Sequence, residues 1–328
     1  MISLDKSQIN KLLQRTSSLH ICVIGDCMLD HYIWGDVHRI SPEAPVPVVN
    51  VDQDTYRLGG ACNVALNLKQ MGCNVSLLGL IGQDLAGNTL KQLLEKNHIN
   101  ICETHFSSDI TTIVKTRVIV RNQQLCRLDR ETFFEEEQAT HLQQALHKNI
   151  QNFDAVIVSD YNKGTVSQKL LDSLIALKKE HNFFLAVDPK PLHGLDYKSV
   201  DLLKPNRNEA LQLSGITPNP CKPFPLDTIV KHISDTYHPQ YLAITLGHEG
   251  LAIFKDDNKG CVIPAQDKEV FDVSGAGDTA LAALVVAFCL KMPMHIAATF
   301  ANIASGIVVS KVGTATVSLE ELKTYVQS

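Results

Sequence analysis

The sequence predicts an α/β fold in which a mostly parallel central sheet is flanked by helices, and three observations lead there. Strand-like apolar runs alternate with helical patterns along most of the chain, as strand–helix–strand crossovers require. At 328 residues, 45% apolar and 20% charged, the chain can bury a large core. Two extended segments, 31–57 and 111–130, interrupt the alternation and are expected to form a small β-sheet lid inserted into a single domain spanning 1–328.

Residues 1–19 are polar and amphipathic, without the apolar core and cleavage site of a signal peptide. The first strand is expected at 19–25, a helix at 61–71, a strand at 75–79, a helix at 85–96 and a short strand near Ile101. The lid segments follow from Pro42, Pro45 and Pro47 before Val48-Val49-Asn50-Val51, and from β-like runs at 112–120 and 124–128. A helix at 135–149 leads to a strand at 155–159. After a helix at 167–180 come strands at 184–187 and 201–203, with Pro205 opening a further helix. Strands at 241–245, 252–255 and 260–263 precede helices at 277–291 and 294–310. The last helix begins at Ser318, where Ser318-Leu319-Glu320-Glu321 reads as a capping box.

Composition excludes several classes of function. A net charge of −5 argues against broad nucleic-acid or membrane-surface binding, so an anionic substrate must be met by a few local cations. Nine scattered cysteines without a Cys-x-x-Cys pair read as free thiols in a reducing compartment, and thirteen histidines form no ligand cluster. A cytoplasmic protein without a tightly held transition metal is expected. Neither a P-loop nor a Gly-x-Gly-x-x-Gly after the first strand is present, which weighs against P-loop NTPases and nicotinamide-dependent dehydrogenases.

The densest chemistry lies in Asp272-Val273-Ser274-Gly275-Ala276-Gly277-Asp278-Thr279. Gly275, Ala276 and Gly277 leave backbone N–H groups approachable at the start of an apolar helix, whose N-terminus attracts negative charge. Asp278 could accept the proton of an attacking hydroxyl, although a helix N-terminus favours the carboxylate and keeps it a weak base. The plain alternative is a Gly-rich turn capping a buried helix. Asp26 and Asp30 follow the first strand and could grip sugar hydroxyls or cap turns. Gly59 and Gly60 open a helix with Asn63 in its first turn. Asp188-Pro189-Lys190 places a cation at the sheet edge, where it could hold a phosphate. Asn206 and Glu209 could be an N-cap and its capping-box acid, or could face bound phosphates with Glu209 organising a hydrated Mg²⁺. Thr245-Leu246-Gly247-His248-Glu249-Gly250 could be a hairpin or a nucleotide cradle.

Taken in order and spacing, Gly59-Gly60 with Asn63, Asn206-x-x-Glu209, Thr245-x-Gly247-x-x-Gly250 and Asp272-x-x-Gly275-Ala276-Gly277-Asp278 resemble the ribokinase/PfkB carbohydrate kinases. Within that family, the block from Gly25 to Tyr32 and the run from Arg39 to Val48 resemble the D-glycero-β-D-manno-heptose 7-phosphate kinases. So do Thr116-Arg117-Val118-Ile119, Gln123-Gln124 and Asp129-Arg130-Glu131. The resemblance implies a ribokinase-like three-layer sandwich and ATP-dependent phosphorylation of the anomeric C1 hydroxyl in lipopolysaccharide-core synthesis. It makes Asp278 the base and the amides of Gly275, Ala276 and Gly277 the anion hole. Asp30, Gly59, Gly60 and Asn63 would hold the sugar, with Lys190, Lys115 and Arg117 as candidates for its phosphate. Asn206, Glu209, Thr245, Gly247 and Gly250 would hold ATP and Mg²⁺, and Asp272 and Ser274 occupy the positions of a monovalent-cation site, such as one for K⁺. Lid strands that pair between subunits would imply a homodimer. Many such relatives carry a C-terminal adenylyltransferase domain with a His-x-Gly-His motif, and this chain ends at Ser328 without one. It is therefore expected to be either a kinase alone or a piece of a longer protein. Another phosphorylated sugar as substrate, or a sugar-phosphate sensor without catalysis, are the competing expectations.

Overall fold

The computed structural model describes residues 6–101, 104–121, 123–219, 222–255, 259–266 and 270–327. Helix α1 (Lys6–Arg15) precedes β1 (His20–Gly25), and Asp26 leads straight into two 14-residue strands, β2 (Cys27–Ile40) and β3 (Pro47–Gly60). Next come α2 (Ala61–Gln70), β4 (Asn74–Leu78), β5 (Leu80–Gly82), α3 (Leu85–Lys96) and β6 (His105–Ser107). The hairpin β7 (Ile113–Val120) and β8 (Gln123–Arg130) is followed by α4 (Glu136–Asn149), β9 (Ala155–Ser159), α5 (Gln168–Glu180), β10 (Phe184–Asp188) and β11 (Leu202–Leu203). The remainder comprises α6 (Arg207–Ser214), α7 (Leu226–Tyr237), β12 (Tyr241–Thr245), β13 (Leu251–Lys255), β14 (Gly260–Ile263), α8 (Ala276–Cys289), α9 (Met294–Val308) and α10 (Leu319–Gln327).

The main sheet has the order β14-β13-β12-β11-β10-β9-β1-β4, parallel from β4 to β12 and antiparallel at β13 and β14. Alternate residues of β1 serve opposite faces, which makes the molecule three-layered. Ile21 and Val23 join the core under α2, α8 and α9, whereas Cys22 and Ile24 join the core under α4, α5 and α7. Helix α8 is buried from Asp278 to Phe288 because the sheet, α2 and α9 surround it, which explains its nearly all-apolar sequence. The chain moves from β1 outward to β4, then returns to β9 on the other side of β1. A crevice opens at such a reversal, beyond the C-terminal ends of the strands.

A second sheet, β3-β2-β7-β8, rises from this crevice. Strand register puts Arg57 and Lys115 beside Asp30 and Arg117 beside Tyr32, so these polar side chains share one face. The other face is apolar toward its tip, with Val51 59% and Leu125 45% exposed among Ile33, Val49 and Val118. The strands exceed the extended segments read from sequence, since β2 begins at Cys27 and β3 runs to Gly60.

Two local expectations change. The strand near Ile101 is an isolated bridge between Asn100 and Ser76, and the pairing strand is β6. Helix α7 was not expected, because the prolines around 218–225 mask the helical spacing of Ile229, Val230 and Ile233. The capping box at Ser318 is present, with Ser318 N donating to Glu321 Oε2 at 2.8 Å and Glu321 N to Ser318 Oγ at 3.2 Å. Among the described residues, seven cysteines are free and no helix is long and apolar enough to cross a membrane. Cys102 and Cys221 lie outside the described residues.

Candidate active site

Five strand ends converge on the crevice and supply Asp26, Tyr161, Asp188, Lys204 and Thr245. Asp26 is fully buried, and its carboxylate accepts N–H bonds from Tyr161 at 2.8 Å, Lys163 at 3.1 Å and Thr165 at 3.2 Å. It clamps the loop after β9. That loop positions Tyr161, whose hydroxyl donates to Asp278 Oδ1 at 2.9 Å.

Asp278 sits in the first turn of α8, 7% exposed, and its Oδ2 accepts from Asn63 Nδ2 at 2.6 Å. Burial pushes the Asp278 carboxyl above the usual range, while the bonds from Asn63 and Tyr161 and the nearby Lys204 ammonium pull it back. The direction is upward, opposite to the one expected from the helix N-terminus alone. Gly275 takes the left-handed conformation at φ 82°, and a Cβ there would stand 2.9 Å from Asn63 Nδ2. Only glycine lets the turn pass this close to the pair. The Ala276 N–H donates to Val273 O at 3.2 Å, so it closes the turn and is removed from the expected trio of anion-binding amides.

Asp30 is 4% exposed and accepts from Arg117 Nη1 at 2.7 Å and from Thr314 Oγ1 at 2.7 Å. A Cβ on Gly59 would meet the Asp30 carboxyl carbon at 2.9 Å, so that glycine makes room for the carboxylate. Gly60, at φ 55°, starts α2 and brings Asn63 to Asp278. Arg57 Nη1 donates to the Val312 and Thr314 carbonyls, both at 2.9 Å, which ties β3 to the segment after α9.

On the opposite side of Asp278 lies a buried ion pair that the sequence reading overlooked. Lys204 is 2% exposed and contacts Asp188 Oδ2 at 2.9 Å. Its Nζ would lie 3.6 Å from a Cβ on Gly277, placing a fixed cation beneath the turn. Burial raises Asp188 to about 7, against the pull of Lys204, and Glu209 adds to the rise. Lys204-Pro205 before the α6 cap was the available signal, since a lysine ending a buried parallel strand needs a partner.

Asn206 and Glu209 form a true capping box: Asn206 Oδ1 accepts from Glu209 N at 3.0 Å, and Glu209 Oε2 from Asn206 N at 2.9 Å. Glu209 Oε1 also receives Lys190 Nζ at 3.0 Å. Lys190 therefore lies at the α6 end of the crevice, away from Lys115 and Arg117 on the small sheet. Thr245 bridges to Asn206, and the Gly247–Gly250 turn reverses the chain from β12 to β13, so the hairpin reading holds as geometry. Gly250, at φ 102°, leaves no room for a side chain against Ile263 O. Asp272 Oδ1 accepts from Ser274 N at 2.9 Å and Oδ2 from Gly313 N at 3.0 Å.

The chain is a phosphotransferase acting on a sugar hydroxyl, and its crevice carries the buried carboxylates of Asp278 and Asp30. The chain belongs to the pfkB family of carbohydrate kinases, whose model matches residues 18–322. It is 38% identical over 321 residues to the bifunctional protein HldE of Syntrophotalea carbinolica, covering 97% of this chain and 65% of that protein. Against the bifunctional protein HldE of Desulfatibacillum aliphaticivorans it is 40% identical over 313 residues, with 95% and 64% covered. The chain thus spans slightly less than two thirds of the length of these curated relatives. Phosphofructokinase-2 from Escherichia coli, solved with substrates and products, shares the fold at TM-score 0.79 and 16% identity, covering 94% of this chain and all of that one. Ribokinase from Thermotoga maritima matches at TM-score 0.71 and 19% identity over 94% of this chain and 100% of that chain.

Proposed function

We propose that this kinase transfers the γ-phosphoryl group of ATP to the anomeric C1 hydroxyl of D-glycero-β-D-manno-heptose 7-phosphate, giving the 1,7-bisphosphate. The observation that carries the reading is Asp278, buried at the start of α8 and bonded to Asn63 and Tyr161, with the Asp30 carboxylate near enough to act on its charge. Asp278 takes the hydroxyl proton as the sugar oxygen forms its bond to phosphorus and the bond to the ADP oxygen breaks. The amides of Gly275 and Gly277, with Lys204 beneath, meet the charge on the transferred group. Asp30 grips sugar hydroxyls, and Gly59 and Gly60 let the sugar approach the backbone.

ATP is assigned to the end of the crevice formed by Asn206, Thr245, Gly247 and Gly250. Asp188 and Glu209 are hard oxygen donors beside the transfer turn, and Mg²⁺ needs few protein ligands because it keeps water and binds substrate phosphates. When bound, Mg²⁺ supplies positive charge to the ATP phosphates. Lys190, paired with Glu209, is reassigned to this end. Asp272 and Ser274 would hold a monovalent cation, with K⁺ the ion to test.

The heptose is supported by the resemblance of the segments around Asp30, Arg39–Val48 and Arg117, and by the 38–40% identity to the two HldE proteins. The small sheet acts as a lid, and its apolar face around Val51 and Leu125 is the surface through which two copies pair. A panel of phosphorylated sugars with ATP, read by coupled ADP release, tests the reading. The heptose 7-phosphate is expected to give the highest kcat/KM. A better substrate among the other sugar phosphates replaces the heptose, and tight binding without ADP release makes the protein a sensor.

A further inference from the structure

Three cations were candidates for the substrate's own phosphate, and two of them are already committed. Arg117 is paired with Asp30, and Lys190 with Glu209. Lys115 is different. Its Nζ lies 3.7 Å from Glu131 Oε1, while Lys163 Nζ reaches the other oxygen, Oε2, at 2.7 Å. One carboxylate is thus held between two ammonium groups whose side chains are only 16% and 11% exposed.

The seat borders the crevice on both flanks. Lys115 stands in register with Asp30 on the polar face of the small sheet. Lys163 belongs to the loop that Asp26 clamps, two residues beyond Tyr161, which touches Asp278. Phe134 N donates to Lys163 O at 2.7 Å, and Lys163 Nζ lies 5.1 Å from the centre of the Phe133 ring, so this cation is built into a braced loop. Asp129 stands in register with Lys115 but is bonded to Arg127, so Lys115, Lys163 and Arg127 together face the carboxylates of Glu131 and Asp129 and one positive charge is in excess. A phosphate monoester, carrying close to two negative charges and three acceptor oxygens, matches the pair better than Glu131 does.

We propose that Lys115 and Lys163 form the seat for the sugar's own phosphate, and that the Glu131 carboxylate occupies it until substrate displaces it. The inference rests on the reading of the substrate as a phosphorylated sugar and adds Lys163 and Glu131 to the specificity determinants. Glu131 also sets selectivity: an unphosphorylated sugar cannot displace the carboxylate, and the seat stays closed to it.

The test compares Lys115→Met, Lys163→Met and Glu131→Gln with the unaltered protein, using heptose 7-phosphate, the same heptose without phosphate, and inorganic phosphate as probes. Loss of a charge-assisted contact corresponds to roughly ten- to hundredfold in affinity. Each lysine variant is expected to raise KM for the phosphorylated heptose by about that factor. KM for ATP should stay unchanged, and kcat/KM for the unphosphorylated heptose should not fall. Glu131→Gln should tighten binding of inorganic phosphate measured by isothermal titration calorimetry, an outcome that no misfolded variant produces. Unchanged KM for the phosphorylated heptose in both lysine variants overturns the seat. If heptose 7-phosphate is not a substrate at all, the phosphate titration decides alone. Binding lost in Lys163→Met and tightened in Glu131→Gln keeps the seat while the sugar changes, and equal binding in all four proteins removes it.

Discussion

Lys204→Met removes the ammonium group from a pair that is almost wholly withdrawn from water, with Lys204 2% exposed and its Nζ 2.9 Å from Asp188 Oδ2. Breaking one partner of a buried pair costs about 3–5 kcal/mol, because the remaining charge has lost both water and counter-ion. Asp188 can escape that penalty by taking a proton, and burial already raises it to about 7. Without Lys204 its folded-state value rises further. A carboxyl raised above its unfolded value favours the folded state at low pH, and that contribution disappears as pH rises through the folded value. The penalty of Lys204→Met is therefore expected to be small at pH 6 and to approach the full amount at pH 9. Urea unfolding followed by circular dichroism at both values measures it, and adding Asp188→Asn should recover most of the loss. Kinetics supply an independent readout. Lys204 also lowers the Asp278 carboxyl, so its removal should move the acid limb of kcat to higher pH. Equal stability of variant and parent at pH 9, or no recovery in the double variant, would refute the reasoning.

Asp278→Asn should reduce kcat by several orders of magnitude in the coupled ADP assay with ATP affinity nearly intact; near-native turnover would move the base elsewhere. Tyr161→Phe deletes a hydrogen bond to a carboxylate, worth about 1.5–3 kcal/mol, and raises the Asp278 carboxyl. Because the base acts deprotonated, activity should then fall away at higher pH than in the parent, and a pH–rate profile with an unmoved acid limb contradicts this. Gly275→Ala places a methyl group 2.9 Å from Asn63 Nδ2 at φ 82°. A loss of about 1 kcal/mol or more in stability, with a lower kcat, is expected from denaturation and steady-state measurements.

The sheet was legible because parallel strands buried on both sides leave unbroken runs such as 155–159 and 184–187. Turn glycines were legible too, since Gly275 and Gly250 mark conformations or approaches that other residues resist. What escaped was partnership. Tyr161, Lys163, Asp188 and Lys204 come together only because β9, β10 and β11 end side by side, and no local pattern announces that adjacency. Asp26 and Asp30 are four residues apart and look alike in sequence, yet one clamps a loop and the other opens onto the crevice. The direction for Asp278 likewise differs from the one a helix start alone gives, because the sequence displays the helix start but not the surrounding protein.

Thr314 has a consequence for anyone wishing to redesign this enzyme. Its hydroxyl reaches Asp30, its amide reaches Tyr32, its carbonyl receives Arg57, and its methyl would lie 3.4 Å from a side chain at Gly275. Under the proposed function, recognition of the acceptor and geometry of transfer would both run through this threonine. Altering the sugar preference by rewriting β2 alone would drag the phosphorylation step along with it, and a successful retargeting must rebuild 312–314 in the same round.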